Sequence, residues 1–334
     1  MPVGSIVVTG AGGAVGRRVA AALGADVVAV ADLAAIRGAA PPSNGAGATA
    51  MVHLAWSVGP GRAKEPTRAD VDATRQILDA AAEAGVTSLV HLSTATAYGA
   101  WMDNPIPLTE EEPLRPNPGV ADAVHHAEAE RLVAAWADDH PDCAVAVLRP
   151  ATVVGPGIDS SLSRALGGQP AFRSGARDPA RQFVHVDDLA SAVAHAVHHK
   201  LDGVFNVAAD GWIAGDVVRG LSAARPSVPV PGRLAPSATR LAWSLHLSNL
   251  PPALQPLIEH PWVVANDKLR AAGWIPSYTN EEAIVAGRPG GRWREMGVAR
   301  RQQVVLGLGG LLVAGGTAGA IAAAAALRRR AAAR

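Results

Sequence analysis

Short apolar runs alternate with longer segments of helical period along the first two hundred residues. The strand candidates are Gly4–Thr9, Asp26–Ala31, Ala50–Ala55, Ser88–Leu92 and Ala144–Leu148, with a later one at Gly203–Ala208. The helix candidates lie between them at Ala14–Leu23, Arg68–Ala84 and Ala123–Asp138. Continuous apolar strands, rather than alternating ones, are those of a sheet covered on both faces. Strands alternating with helices then predict a doubly wound parallel α/β fold, and the right-handed crossover rule restricts its topology. The stretch Gly155–Arg181 is rich in Gly, Ser and Pro and is expected to form loops over the sheet. A Pro-containing stretch from Ser227 to Pro261 suggests a smaller lobe, and no repeat period is found.

The chain of 334 residues is long enough for a large core. Its formal net charge is +1, so no global field argues for a nucleic-acid partner. With one cysteine, Cys143, neither a disulfide framework nor a thiolate metal site can form within a chain. No leader is read before the first strand. Residues 288–303 read as a linker into an uncharged segment, 304–327. That segment is about 24 residues long, roughly 36 Å as a helix, which suffices to cross a bilayer. Arginines flank it, and Gly315, Gly319 and Ala323 form a small-residue face. The expectation is a cytoplasmic domain, residues 1–287, anchored by a hydrophobic C-terminal helix. The competing reading is an Ala/Gly-rich tail helix that only packs on protein or on the membrane surface.

The first strand runs into Thr9-Gly10-Ala11-Gly12-Gly13-Ala14-Val15-Gly16, which opens the first helix. Gly10 allows the tight turn, Gly13 lets the backbone approach a pyrophosphate, and Gly16 permits close helix packing. The helix start adds unpaired N–H groups and a positive dipole end. Asp32 closes the next strand; a carboxylate there accepts hydrogen bonds from the adenosine ribose and repels a 2′-phosphate, favouring NAD over NADP.

These features resemble the NAD-dependent epimerase/dehydratase family of extended short-chain dehydrogenase/reductases. The resemblance includes His53-Leu54-Ala55, Ser93-Thr94-Ala95-Thr96-Ala97-Tyr98-Gly99 and Leu148-Arg149-Pro150 through Gly157. It continues in Phe183-Val184-His185-Val186-Asp187-Asp188-Leu189-Ala190, Gly203–Ala208 and Gly273-Trp274-Ile275-Pro276. It implies a Rossmann domain with an interleaved substrate lobe, about residues 157–181 and 210–285. It also implies a homodimer through the helices Arg68–Ala84 and Ala123–Asp138, and a cofactor site built from Thr9, Gly10, Gly12, Gly13, Ala14, Val15, Gly16, Asp32, Leu54, Ala55, Arg149 and Pro150. Arg149, beside the sheet's C-terminal edge, is expected to meet a phosphate or carboxylate.

The family's chemistry couples hydride transfer to proton transfer by a tyrosine and a lysine four residues on. A phenol titrates near pH 10 and needs such tuning. Neither Tyr98 nor Tyr278 is followed by that lysine; Met102 and Glu282 stand there. The resemblance places Asp122 at the tyrosine position and His126 at the lysine position, while Thr94 keeps the hydroxyl. Asp122 and His126, at i and i+4, share a helix face and either replace the acid/base pair or are relics. The adjacent His125 argues against replacement.

The stretch between Asp32 and Met51 is too short and too rich in Pro and Gly for the family's helix–strand unit there. Trp56 is read as hanging over the site or packing in the core. Asp70 is either a polar cap the family uses or an ordinary helix-start acid. His185, Asp187 and Asp188 are read as a helix cap rather than metal ligands. Three functions stay open: an NAD-dependent enzyme on a small-molecule substrate, a non-catalytic dinucleotide sensor without one, and a membrane-tethered scaffold. The apolar Leu241–Leu257 region hints at a lipid-like substrate.

Overall fold

The computed structural model describes residues 6–24, 27–30, 49–54, 69–167, 172–174, 179–221, 228–230, 235–244 and 251–287. Asp32, Ala55, Trp56 and the whole segment 304–327 lie outside them, as do residues 33–48 of the short stretch before Met51 and the linker. The chain divides into two compact units at Gly287. Among the described residues no helix is long and apolar enough to cross a membrane.

Six parallel strands form the main sheet: β1 (Ile6–Thr9), β2 (Val27–Val30), β3 (Ala50–His53), β4 (Ser88–Leu92), β5 (Ala144–Pro150) and β9 (Gly203–Val207). Their order is β2-β1-β3-β4-β5-β9. The register sets Val7 beside Met51, Met51 beside Leu89 and Leu89 beside Val145. Alternate side chains leave opposite faces. Ile6, Val8, Val52, Val90 and Leu148 pack with Val19, Leu189 and Val193 on one face. Val7, Met51, Leu89, Val145 and Val147 pack with Ile77, Leu78, Ala81 and Val133 on the other. Each such side chain contributes on the order of 2 kcal/mol by leaving water.

The first face is covered by α1 (Ala14–Leu23) and α5 (Val186–His198), the second by α2 (Ala69–Ala84) and α3 (Ala121–Asp139). Helix α1 buries Gly16, Val19 and Leu23, one face at helical spacing, and stops at Gly24, whose φ of 94° suits glycine. Helix α3 is unusual, because its buried face carries His126 and Glu130 beside Ala123, Ala127 and Val133. Buried polar groups require partners, and theirs build much of the candidate site.

The Gly155–Arg181 stretch is more ordered than its composition suggests. It contains α4 (Ser161–Gly167) and β7 (Phe172–Ser174). Before it, β6 (Thr152–Val154) pairs with β8 (Phe183–His185), while β7 pairs with β10 (Val228–Val230). Strand pairing supplies the hydrogen bonds that local propensity could not forecast. The lobe is completed by α6 (Gly215–Leu221), α7 (Ala235–Ser244), α8 (Gln255–Glu259), α9 (Asp267–Ala271) and α10 (Asn280–Ala286). Its core joins Phe183, Leu257, Trp262 and Ile284 to Tyr98 and Ala123 of the main domain. The lobe therefore rests on the C-terminal end of the sheet.

Candidate active site

Strand order reverses at β1, since β2 and β3 lie on its two sides. Such a switch point opens a crevice beyond the strands' carboxyl ends. Gly10 occupies it with φ 75°, and the Gly13 amide donates to Gly10 O at 3.3 Å. A Cβ on Gly16 would lie 2.3 Å from Gly10 O and 2.5 Å from Ala11 Cα; glycine here is demanded by helix–loop packing. Gly12 and Gly13 differ. A Cβ at Gly12 meets nothing within 4 Å, and one at Gly13 meets only Gly10 O, at 3.7 Å. The packing of the described residues does not require those glycines. Gly13 is the N-cap of α1 without a side-chain cap, and the first turn, with Ala14 and Val15, has no acidic residue. The amides and positive dipole end are left for an anion.

One rim of this cradle is fixed by Arg18. It ion-pairs with Asp187 at 2.7 Å and donates to Pro156 O at 2.7 Å. A Cβ on Gly157 would lie 3.4 Å from the Ala14 Cβ, so the segment after β6 passes beside the helix start. Leu54 is buried beside β1, its amide donating to Thr9 O at 3.3 Å. The Thr9 hydroxyl faces inward, 2.9 Å from His53 Nδ1.

Thr94 stands just beyond β4, as the N-cap of a 3-10 turn, Ala95–Tyr98. Its Oγ1 accepts from the Thr96 amide at 3.2 Å and lies 3.0 Å from Thr96 Oγ1. Helix α3 packs against that turn, which brings Asp122 and His126 to the same end of the sheet. The Asp122 carboxylate, on the first turn, is 47% exposed, whereas the His126 ring 3.8 Å away is 6% exposed. Burial, reinforced by His53 and His125, pushes His126 down to about 3. The imidazole is neutral at physiological pH and cannot act as the cationic partner that a lysine provides.

His126 belongs to a buried group with His53 and His91, from the ends of β3 and β4. The two strand rings are 5.4 Å apart. His53 is held between Thr9 Oγ1 at 2.9 Å and Thr74 Oγ1 at 3.2 Å. Burial lowers His53 to about 4 and, with His53 and His126 adding repulsion, moves His91 well below its ordinary value. A polar residue inside an otherwise apolar buried strand was the available signal; sequence reasoning named His53 only as part of a family motif and passed over His91.

The expectation for Arg149 needs correction. Its guanidinium does meet a carboxylate, but that of Glu130, with Nε 3.1 and 3.0 Å from the two carboxylate oxygens and Nη2 at 2.6 Å. Nη1 donates to the Tyr98 hydroxyl at 2.7 Å, and the cation lies 4.8 Å from that ring's centre. The Tyr98 hydroxyl donates in turn to Asn206 Oδ1 at 2.9 Å, and Ser93 Oγ donates to Glu130. Each of the three guanidinium nitrogens of Arg149 donates within the protein, and both Arg149 and Pro150 beside it are buried. Burial, outweighing Arg149 and Asn206, pushes Tyr98 up to about 12. Glu130, four residues beyond His126 on the same helix face, was legible as its i+4 neighbour but not as the partner of Arg149.

Other expected residues have structural roles. His185 accepts from the Asp187 amide as the N-cap of α5, and Asp188 accepts from the amides of Ser277 and Tyr278. Among the described residues no group of histidine, cysteine and acidic side chains is arranged to hold a metal. Arg181, which sequence reasoning did not single out, donates to Leu257 O and Ile258 O in the lobe, and burial lowers it to about 10.

The profile of the NAD dependent epimerase/dehydratase family matches residues 6–208, strand β1 through the end of β9. The chain belongs to this family. It is 30% identical over 230 residues to a 3-diazoavenalumate denitrifying reductase of a Streptomyces species, covering 64% of this chain and 69% of that protein. It is also 29% identical over 201 residues to an uncharacterized protein of Mycobacterium tuberculosis, covering 60% of this chain. The chain spans about half the length of that relative, 53%. Among solved structures, a Thermus thermophilus UDP-glucose 4-epimerase in complex with NAD is similar with a TM-score of 0.62 at 22% identity, over 85% of this chain and 97% of that one. A Pseudomonas aeruginosa protein, RMD, complexed with NADPH is similar at 0.59 and 21%, with the same coverage. At these identities the structures establish the shared fold.

Proposed function

We propose that this chain binds NAD across the switch point and acts as an oxidoreductase on a small-molecule substrate. The observation that carries the reading is the cradle at Gly12 and Gly13. Among the described residues those glycines are not needed for packing, yet they stand at a helix start without a side-chain cap and with no acidic side chain in its first turn. That donor set fits a pyrophosphate. Gly10, Gly12 and Gly13 would face the phosphates, Gly16 would hold the helix against the loop, and Leu54 would line the base of the crevice. When bound, the nicotinamide supplies or accepts a hydride. Thr94 would offer a hydroxyl to the substrate, and the lobe resting on Tyr98 and Ala123 would shape the substrate space. The Streptomyces relative supports the reductase reading, its name being that of a reductase.

Calorimetry on the full chain tests this reading. Tight NAD binding with weaker NADP binding is expected; no binding of either overturns it. The replaced dyad favours a second reading, a non-catalytic dinucleotide sensor, which predicts binding with no turnover of any acceptor. The tether through residues 304–327 and a homodimer through α2 and α3 complete the proposal. They are checked by carbonate extraction of membranes and by sedimentation of the detergent-solubilised chain.

A further inference from the structure

The turn at one rim of the cradle has two conformations open to it by sequence, and the structure holds one of them. Gly155-Pro156-Gly157-Ile158 follows β6, with the Ile158 amide donating to Gly155 O at 3.1 Å. Proline keeps its own φ negative, and Gly157 has φ 81°. That combination is a type II turn, whose central peptide is flipped relative to that of type I. Glycine at the third position accepts either orientation. The carbonyl of the central peptide is Pro156 O, and Arg18 Nη2 donates to it at 2.7 Å. A trans peptide points its C=O and N–H in opposite directions, so the face turned away from Arg18 carries the Gly157 N–H.

Arg18 is itself fixed from two further directions. Its Nε donates to the Asp187 carboxylate at 2.7 Å and its Nη1 to Ala14 O at 3.1 Å. One planar fork thus joins the start of α1, the start of α5 and the turn after β6. The ion pair is partly exposed, 27% and 52%, and adds little to stability. The base of the turn is held separately, since a Cβ on Gly155 would lie 2.6 Å from Val186 Cγ1. Its tip, Pro156 and Gly157, is exposed beside Ala14. Strand β6 follows β5 in the chain, and β5 lies on the opposite side of β1 from β2. In such a sheet the adenosine ribose is held at the end of β2, so the turn borders the other half of the crevice. Resting on the dinucleotide reading above, we propose that Arg18 is a positioning residue for the nicotinamide half of the cofactor. It acts through the Pro156–Gly157 peptide, holding the turn so that an N–H and not a carbonyl is offered to that half.

The test is calorimetry on the full chain with NAD and with ADP, which carries both phosphates but no nicotinamide riboside; ADP is read by its displacement of NAD. Arg18→Ala should weaken NAD about tenfold and ADP by less than about twofold, with the melting temperature nearly unchanged. Arg18→Lys keeps the charge but not the fork, and should fail to restore NAD binding. Gly157→Ala, which disfavours the positive φ, should show the same loss of NAD with ADP spared. The double variant Arg18→Ala with Gly157→Ala should be within about twofold of the weaker single one, because both act on one peptide. Equal losses of NAD and ADP, recovery with lysine, or multiplied losses in the double variant each overturn the proposal and leave the dinucleotide reading in place. So does an unchanged NAD affinity in Arg18→Ala, a collapse of its melting temperature, or an ADP that does not displace NAD from the unaltered chain. If the unaltered chain does not bind NAD, both readings fall together.

Discussion

The two ends of the crevice have been treated differently. At the start of α1 the loop is open: among the described residues a Cβ at Gly12 would meet nothing within 4 Å and one at Gly13 only Gly10 O at 3.7 Å, and the first turn carries no acidic residue. At the start of α3 the space is occupied by the protein's own groups. Glu130, Arg149, Tyr98, Asn206 and Ser93 form one buried hydrogen-bonded chain, and three neutral histidines sit beside it. A dinucleotide cradle persists where glycine has no structural excuse. At the end near Thr94 and Asp122 these buried polar groups serve the fold.

The comparison is broken most severely at the occupied end. Glu130→Ala leaves the Arg149 cation buried without its carboxylate, and breaking such a pair costs about 3–5 kcal/mol. Denaturant unfolding should show that loss, and a change below about 1 kcal/mol would mean the pair is not buried in solution.

Acid comes next. His53 and His126 are held down to about 4 and about 3 by burial, and His91 well below its ordinary value. In the unfolded chain each titrates near 6.5. Below that pH the unfolded state binds more protons, so stability is complete above about 6.5 and falls as pH drops toward 4. Each proton taken up only on unfolding changes the equilibrium by about tenfold per pH unit. Equilibrium unfolding from pH 7 to 4 checks this. A His91→Leu variant, which removes one such proton, should show a shallower slope; an unchanged slope would remove His91 from the group.

The glycines sharpen the other end. Gly16→Val must push aside Gly10 O and Ala11 and should lower stability by about 1–3 kcal/mol. Gly13→Val should leave the melting temperature nearly unchanged while weakening NAD binding at least tenfold, as read by calorimetry. Equal effects of the two on stability would deny that Gly13 is reserved for a ligand. The last change is the most specific one. Asp122→Tyr with His126→Lys should raise carbonyl reduction with NADH by about 10²-fold if a positioned acid is what the site lacks. Circular dichroism of the pair establishes that the buried lysine is tolerated.

The elements around the cradle were legible because they depend on local pattern. The apolar strand Ile6–Thr9, the glycine spacing and the Ala14–Leu23 period are read within twenty residues, and the helix matched the expected bounds. The Gly155–Arg181 stretch was not legible, since β7 within it draws its hydrogen bonds from β10, far along the chain. Arg149 was read as a site residue because its position beside the sheet's C-terminal edge is visible in sequence. Its occupancy by Glu130, nineteen residues earlier, is not.

What the sequence alone determined is therefore the alternation of strands and helices, the family, and the absence of a lysine four residues after either tyrosine. Each is a matter of residue order. Whether a polar side chain there faces a ligand or another side chain was decided only by tertiary structure. Register and helix packing place Glu130 against Arg149 and His126 behind Asp122. Burial then sets their charge, because the cost of keeping an ion from water depends on the surroundings and not on the residue's name.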